Sequence, residues 1–134
     1  MMLSDIRDYI ASLGLADYVY MGKLPGKHSK SIGVYNSKHE HAYKTAIGGP
    51  EMESYGTKYV TLLVHWNKSP RETEMASTAL FKAVRDTREA TINNKIIKFI
   101  QPLYEIQDVG TDDSGIFEMV IEAAVVYEKK GDQI

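Results

Sequence analysis

The stretch "GIFEMVIEAAVVYE", Gly115 to Glu128, constrains this chain more than any other. Side chains on a strand alternate between two faces. Phe117, Met119, Ile121, Ala123, Val125 and Tyr127 therefore share one face, and Glu118, Val120, Glu122, Ala124, Val126 and Glu128 share the other. The first set suits a core. Three glutamates keep the second at least partly wet. A sheet built on this strand is expected to carry its helices on one side only.

The segments before it supply those helices and further strands. "KYVTLLVHW", Lys58 to Trp66, alternates with both faces mostly apolar, as a central strand does. Leu3, Ile6, Ile10 and Leu13 recur at helical spacing, and Gly14 follows where a left-handed cap residue belongs. Ser69, Pro70 and Glu72 spell a capping box with proline at the first helical position. Ala76, Ala79, Leu80, Ala83 and Val84 then form a narrow small-residue stripe, with Met75 at its border.

Tyr18 to Leu24, "SIGVYN" and His41 to Ile47 read as short strands. Gly33 marks a bend or a close backbone approach in the second. "NNKIIKFIQPLYEIQDV" reads as turn, strand and an extended segment broken at Pro102, and Asp112 to Gly115 as a tight turn. Strands clustered around helices give an α+β class. The expected order is α-β-β-β-β-α-β-β, a mainly antiparallel, twisted sheet with both helices on one face. A single domain is expected over residues 1–134, with 129–134 as a frayed tail.

Composition narrows the function classes. The chain has 134 residues, 43% hydrophobic and 25% charged, with net charge -2, so a folded core is expected and no global basic excess marks a dedicated nucleic-acid binder. Without cysteine, thiolate zinc sites, disulfides and Cys nucleophiles are excluded. No apolar run approaches the roughly 20 residues that span a bilayer. The first ten residues have no basic n-region, so the reading is a soluble, intracellular protein.

Few residues invite chemistry. On a strand His39 and His41 would project to one side, as two metal ligands need, but lysines flank them and no third ligand stands at a motif spacing. Gly48-Gly49 precedes Pro50 and a strand, not a helix N-terminus, so it lacks the context of a phosphate loop. His65, inside an apolar strand, reads as a satisfied, partly buried histidine. Glu118 and Glu122 would stand about 13 Å apart along a strand, too far for a paired-carboxylate hydrolase. No catalytic set and no cofactor site emerges. Lys23, Lys27, Lys30, Lys38 and Lys44 gather in the first strands, whereas the acidic residues cluster later. Such lysines form a solvated face, protect edge strands, or line a basic surface for phosphate backbone.

Four pieces in order, "KSIGVYNSK", "AIGG", "YGTKYVTLLVHWNKSPRETEMAS" and "DVGTDDSGIFEMVIEAAVVYE", resemble the minor capsid and tail-terminator proteins of tailed bacteriophages and prophages. The resemblance covers about Lys30 to Glu128, over segments whose types local patterning supports. It implies a small α+β virion subunit that forms a ring, commonly a hexamer, which ends the tail tube and joins tail to head. Implied partners are the chain itself, the tube protein and a head-completion or connector protein, with DNA passing through and no cofactor. A ring needs a heterologous contact between two unlike patches. Ile32, Val34, Tyr35 and Tyr43 are the interface candidates, and Lys27, Lys30, Lys38 and Lys44 the candidate DNA-channel or tube-facing residues. The competing readings are a small non-enzymatic binding domain acting as monomer or dimer, and a metal-dependent enzyme using His39 and His41.

Overall fold

A computed structural model describes residues 1–22, 28–38 and 54–129. Helix α1 spans Leu3–Ser12, followed by strands β1 (Tyr18–Met21), β2 (Ser31–Asn36) and β3 (Tyr55–His65). Helix α2 is Pro70–Arg85, and β4 (Arg88–Ile92), β5 (Lys95–Pro102), β6 (Gln107–Thr111) and β7 (Phe117–Glu128) complete the sheet. The strand order is β1-β2-β3-β7-β5-β4, and β6 also pairs with β7. Thus β5 and β6 lie end to end along one side of β7, opposite β3. Leu103, between them, still donates its N–H to the Glu122 carbonyl at 2.9 Å.

The class is α+β as expected, with two differences in the sheet. It is mixed: β1 runs parallel to β2, while the other pairs are antiparallel. Four strands follow α2 where two were expected. Arg88–Ile92 is one of the additions, and in its "REATI" only Ala90 and Ile92 alternate as apolar residues, too short a pattern to announce it. The other is β6, all of whose residues are exposed. The expected strand His41–Ile47 lies outside the described residues. Lys129, assigned to the frayed tail, donates its N–H to the Ser54 carbonyl at 3.1 Å and so extends the β3–β7 pairing.

Both helices pack on one face of the sheet. Ile6 and Ile10 of α1 and Leu80 and Val84 of α2 join Ile32, Val34, Val60, Leu62, Val64, Ile97, Ile121 and Val125 in one core cluster. The spacing that predicted α1 holds, and Gly14 caps it at φ +67°. At the other end Asp5 accepts from the Met2 N–H at 2.8 Å. Asn93 and Lys95, from the β4–β5 hairpin, also donate to Asp5, at 3.0 and 2.9 Å, which clamps the helix to that hairpin. Burial opposes ionisation of Asp5, yet the hydrogen bonds from Asn93, Met2 and Lys95 outweigh it and hold the carboxyl down at about 2.

Helix α2 starts at Ser69, whose Oγ accepts from Glu72 N at 3.2 Å. The reciprocal arm of the box passes through Asn67, which accepts from Ser69 N and donates to the Glu72 carboxylate. The buried stripe is rotated from the expected one. Thr73 and Ser77 are fully buried, while Ala79 is exposed and Met75 is 63% exposed. The rotation is possible because each buried hydroxyl donates to the carbonyl four residues back, Ser69 O and Thr73 O, both at 2.8 Å.

Candidate assembly surface

The face of the sheet away from the helices is built by alternation along β2, β3 and β7. Tyr59, Thr61, Leu63 and His65 lie opposite Ala124, Glu122, Val120 and Glu118. Polar groups on this face are paired across strands. Thr61 Oγ1 donates to Glu122 Oε2 at 2.7 Å, and Ser37 Oγ donates to Glu122 Oε1 at 3.2 Å. These bonds make it tolerable for Glu122 to be almost fully buried.

His65 is more buried than the sequence suggested, at 3% exposure. Its Nδ1 stands 2.9 Å from Glu118 Oε2, and the carboxylate acceptor places a proton on that nitrogen. Nε2 lacks a hydrogen-bond partner and lies 3.7 Å from Asp112 Oδ2. Asp112 shapes the turn into β7: its Oδ1 accepts from both Ser114 N and Ile116 N at 2.9 Å, and Gly115 adopts φ +81°. The Ile116 N–H, helped by Ser114 and by the nearby His65, holds the Asp112 carboxyl below the usual carboxylate range. His65 is buried against the sheet while Asp112 and Glu118 keep partial exposure, and the cluster reads as a brace for the β6–β7 turn. Among the described residues, no group of three or more His, Cys, Asp or Glu is placed to hold a metal ion.

A groove of about 670 Å³ is lined by Tyr35, Thr61, Leu63, Val120 and Glu122 of this face and reaches Leu3 at the start of α1. Tyr35 is half-buried there, opposite Thr61. The neighbouring assignments need correction. Ile32 and Val34 are 1% and 0% exposed, turned into the subunit's own core. Strand β2 has β1 on one side and β3 on the other, so it is not an edge, and Ile32 and Val34 leave no surface for another subunit. Lys30 and Lys38 are exposed. Tyr43, Lys27, Lys44, His39 and His41 lie outside the described residues.

The sequence reading missed the sheet edges. Among the described residues, β1 pairs only with β2, β4 only with β5 and β6 only with β7. Tyr18 and Met21 on β1 and Val109 on β6 are exposed apolar side chains. Tyr18 stacks on His28 at 4.1 Å between ring centroids. One carbonyl of β1, that of Val19, is taken by Arg7 Nε of α1 at 3.0 Å. Exposed apolar residues on edge strands are a signal for pairing with another chain. It was hard to see beforehand because "QDVGT" has little strand character.

Residues 9–129 match the family model described as bacteriophage tail terminator protein. The comparison with curated proteins finds no match. A match over most of the chain leads to one conclusion: the chain belongs to the bacteriophage tail terminator family and is a structural protein of the phage tail.

Proposed function

We propose that this chain closes into a ring, with six copies expected, that caps the growing tail tube and offers the surface to which the head attaches. The match of residues 9–129 to tail terminators carries this reading. The exposed, unlike edges of the sheet support it, because a ring needs two different patches on each subunit. In this reading the partners are other copies of the chain, the tube protein and a head-completion or connector protein. The chain acts without turnover, waits in the host cytoplasm before assembly, and ends at the tail–head junction of the virion. Of the described basic candidates, Lys38 faces DNA or the tube, where a ring would multiply its charge and make contact salt-sensitive.

Length control is the direct test. Tails assembled without this chain should grow past their normal length and fail to join heads, and adding the purified chain should stop growth, as seen by electron microscopy. Tails of normal length in its absence would end the proposal. A stable monomer or dimer that leaves tubes uncapped would favour the small binding domain instead. Tyr35→Glu should leave a folded chain with reduced capping, because Tyr35 alone of the three described interface candidates lies on the outer face.

A further inference from the structure

We infer that β6 of one subunit adds to β1 of the next, so that neighbouring copies of this chain continue each other's sheet head to tail. This rests on the ring reading and says which edges meet.

The pairing registers carry the inference. Tyr18 lies opposite Ser31, Ser31 opposite His65, His65 opposite Glu118, and Glu118 opposite Gly110. The row from Tyr20 runs through Gly33, Leu63 and Val120 to Gln107. Among the described residues β1 and β6 therefore stand at the same height on opposite sides of the β2–β3–β7 ladder, while β4 forms the edge beyond β5. Their directions also suit each other. β1 is parallel to β2, and three antiparallel steps through β3 and β7 reach β6, which thus runs antiparallel to β1. A copy placed alongside in the same orientation brings β6 against β1 as an antiparallel pair. Both strands are short, four and five residues, so the contact depends on side chains as well as on the ladder.

Charge chooses the partner. Residues 17–38 contain four lysines against one acid, Asp17, whereas 103–118 contain five acidic residues and no Lys or Arg. Lys30 is exposed just before β2, and its N–H bonds the Trp66 carbonyl while Trp66 N bonds Phe117 O, which places it level with Thr111 opposite Phe117. In the continued sheet the end of β1 that holds Lys30, with Asp17 bonded to the Lys30 carbonyl, meets Asp112 and Asp113 of the neighbour, and Lys30 is the cation available to them. Like charge disfavours β6 meeting β6, so the contact is heterologous, as ring closure demands. Arg7 holds the Val19 carbonyl until the neighbour's strand arrives, which guards β1 against indiscriminate pairing.

The absence of cysteine makes the contact easy to trap. Tyr20→Cys and Gln107→Cys, on one row and one face, should come within disulfide reach across the contact. Oxidised on tail tubes, a mixture of the two single variants should give a cross-linked dimer, and the double variant a ladder. Neither single variant should cross-link with itself. Lys30→Glu should raise the protein concentration needed to cap tubes roughly tenfold, and adding Asp113→Lys should restore it. Rings on tubes without the mixed cross-link, or self-cross-linking of one single variant, would overturn the edge assignment and leave the ring standing. A wild-type chain that forms no multimer on tubes would overturn both.

Discussion

The two faces of the β3–β7 ladder differ sharply in chemistry although they share a backbone. Toward the helices, Val60, Leu62, Val64, Ile121, Ala123 and Val125 are all buried and apolar. Away from the helices, the same strands carry the cross-strand pairs Thr61–Glu122 and His65–Glu118. The apolar face stabilises by removing area from water, without directional demands. The other face binds register: each polar pair is satisfied only in this alignment, and a slip of one residue would bury unpaired carboxylates. Stability and alignment are thus divided between the faces of one ladder, and the outer face and its edges remain for partners.

Substitutions on the two faces should separate these roles, the largest effect coming from the core. Leu62→Ala should lower unfolding free energy by about 2–5 kcal/mol, measured by chemical denaturation, because it leaves a cavity between sheet and helices. An effect under 1 kcal/mol would mean that the core relaxes around the loss. On the outer face, Glu118→Leu should cost about 1–3 kcal/mol by stranding the His65 N–H. Its further signature is loss of amide exchange protection at Ile116 and Gly115, since the His65 cluster braces that turn. Unchanged exchange there would reduce the cluster to simple packing.

Acid should probe the α1 clamp separately from either face. The folded Asp5 carboxyl sits at about 2, below its unfolded value, so its contribution is fully present above the unfolded range near pH 4 and is lost as pH falls toward 2. Stability of the wild type should drop by about 1–2 kcal/mol more than that of Asp5→Asn across that window. Parallel acid limbs would show that the hairpin holds α1 without the charge. Thr61→Val should have the smallest effect, about 1 kcal/mol or less, because Glu122 keeps its bond from Ser37.

Much of this was legible in the residues. The 3.6-residue spacing of Leu3, Ile6 and Ile10 and the Ser69-Pro70 start placed both helices, and the period-two patterns of β3 and β7 placed the long central strands. The turn at Asp112 was visible because aspartate bonds its own backbone two to four residues on. The weaker strands were not. β4 and β6 are strands because β5 and β7 offer them unpaired backbone, and their own side chains barely alternate.

Local sequence also failed where a residue's neighbours decide its role. "SIGVYN" looked like an edge because it is short and ringed by lysines, yet β1 folds beside it in parallel and Ile32 and Val34 become core. Ala79 looked like a stripe residue and is exposed, because Thr73 and Ser77 take the buried face and hide their hydroxyls by bonding backward along the helix.

By itself the sequence determined which segments become helix or long strand, which face of each long strand is oily, and that no thiol chemistry is available. These follow from periodicity and residue type, which act between neighbours in the chain. Only the tertiary structure decided which strands are edges, that β1 and β6 stand level across the sheet, and that His65 lies buried between Glu118 and Asp112. Those facts depend on pairings between residues far apart in sequence, which backbone hydrogen bonding permits between almost any two strands and which packing alone selects.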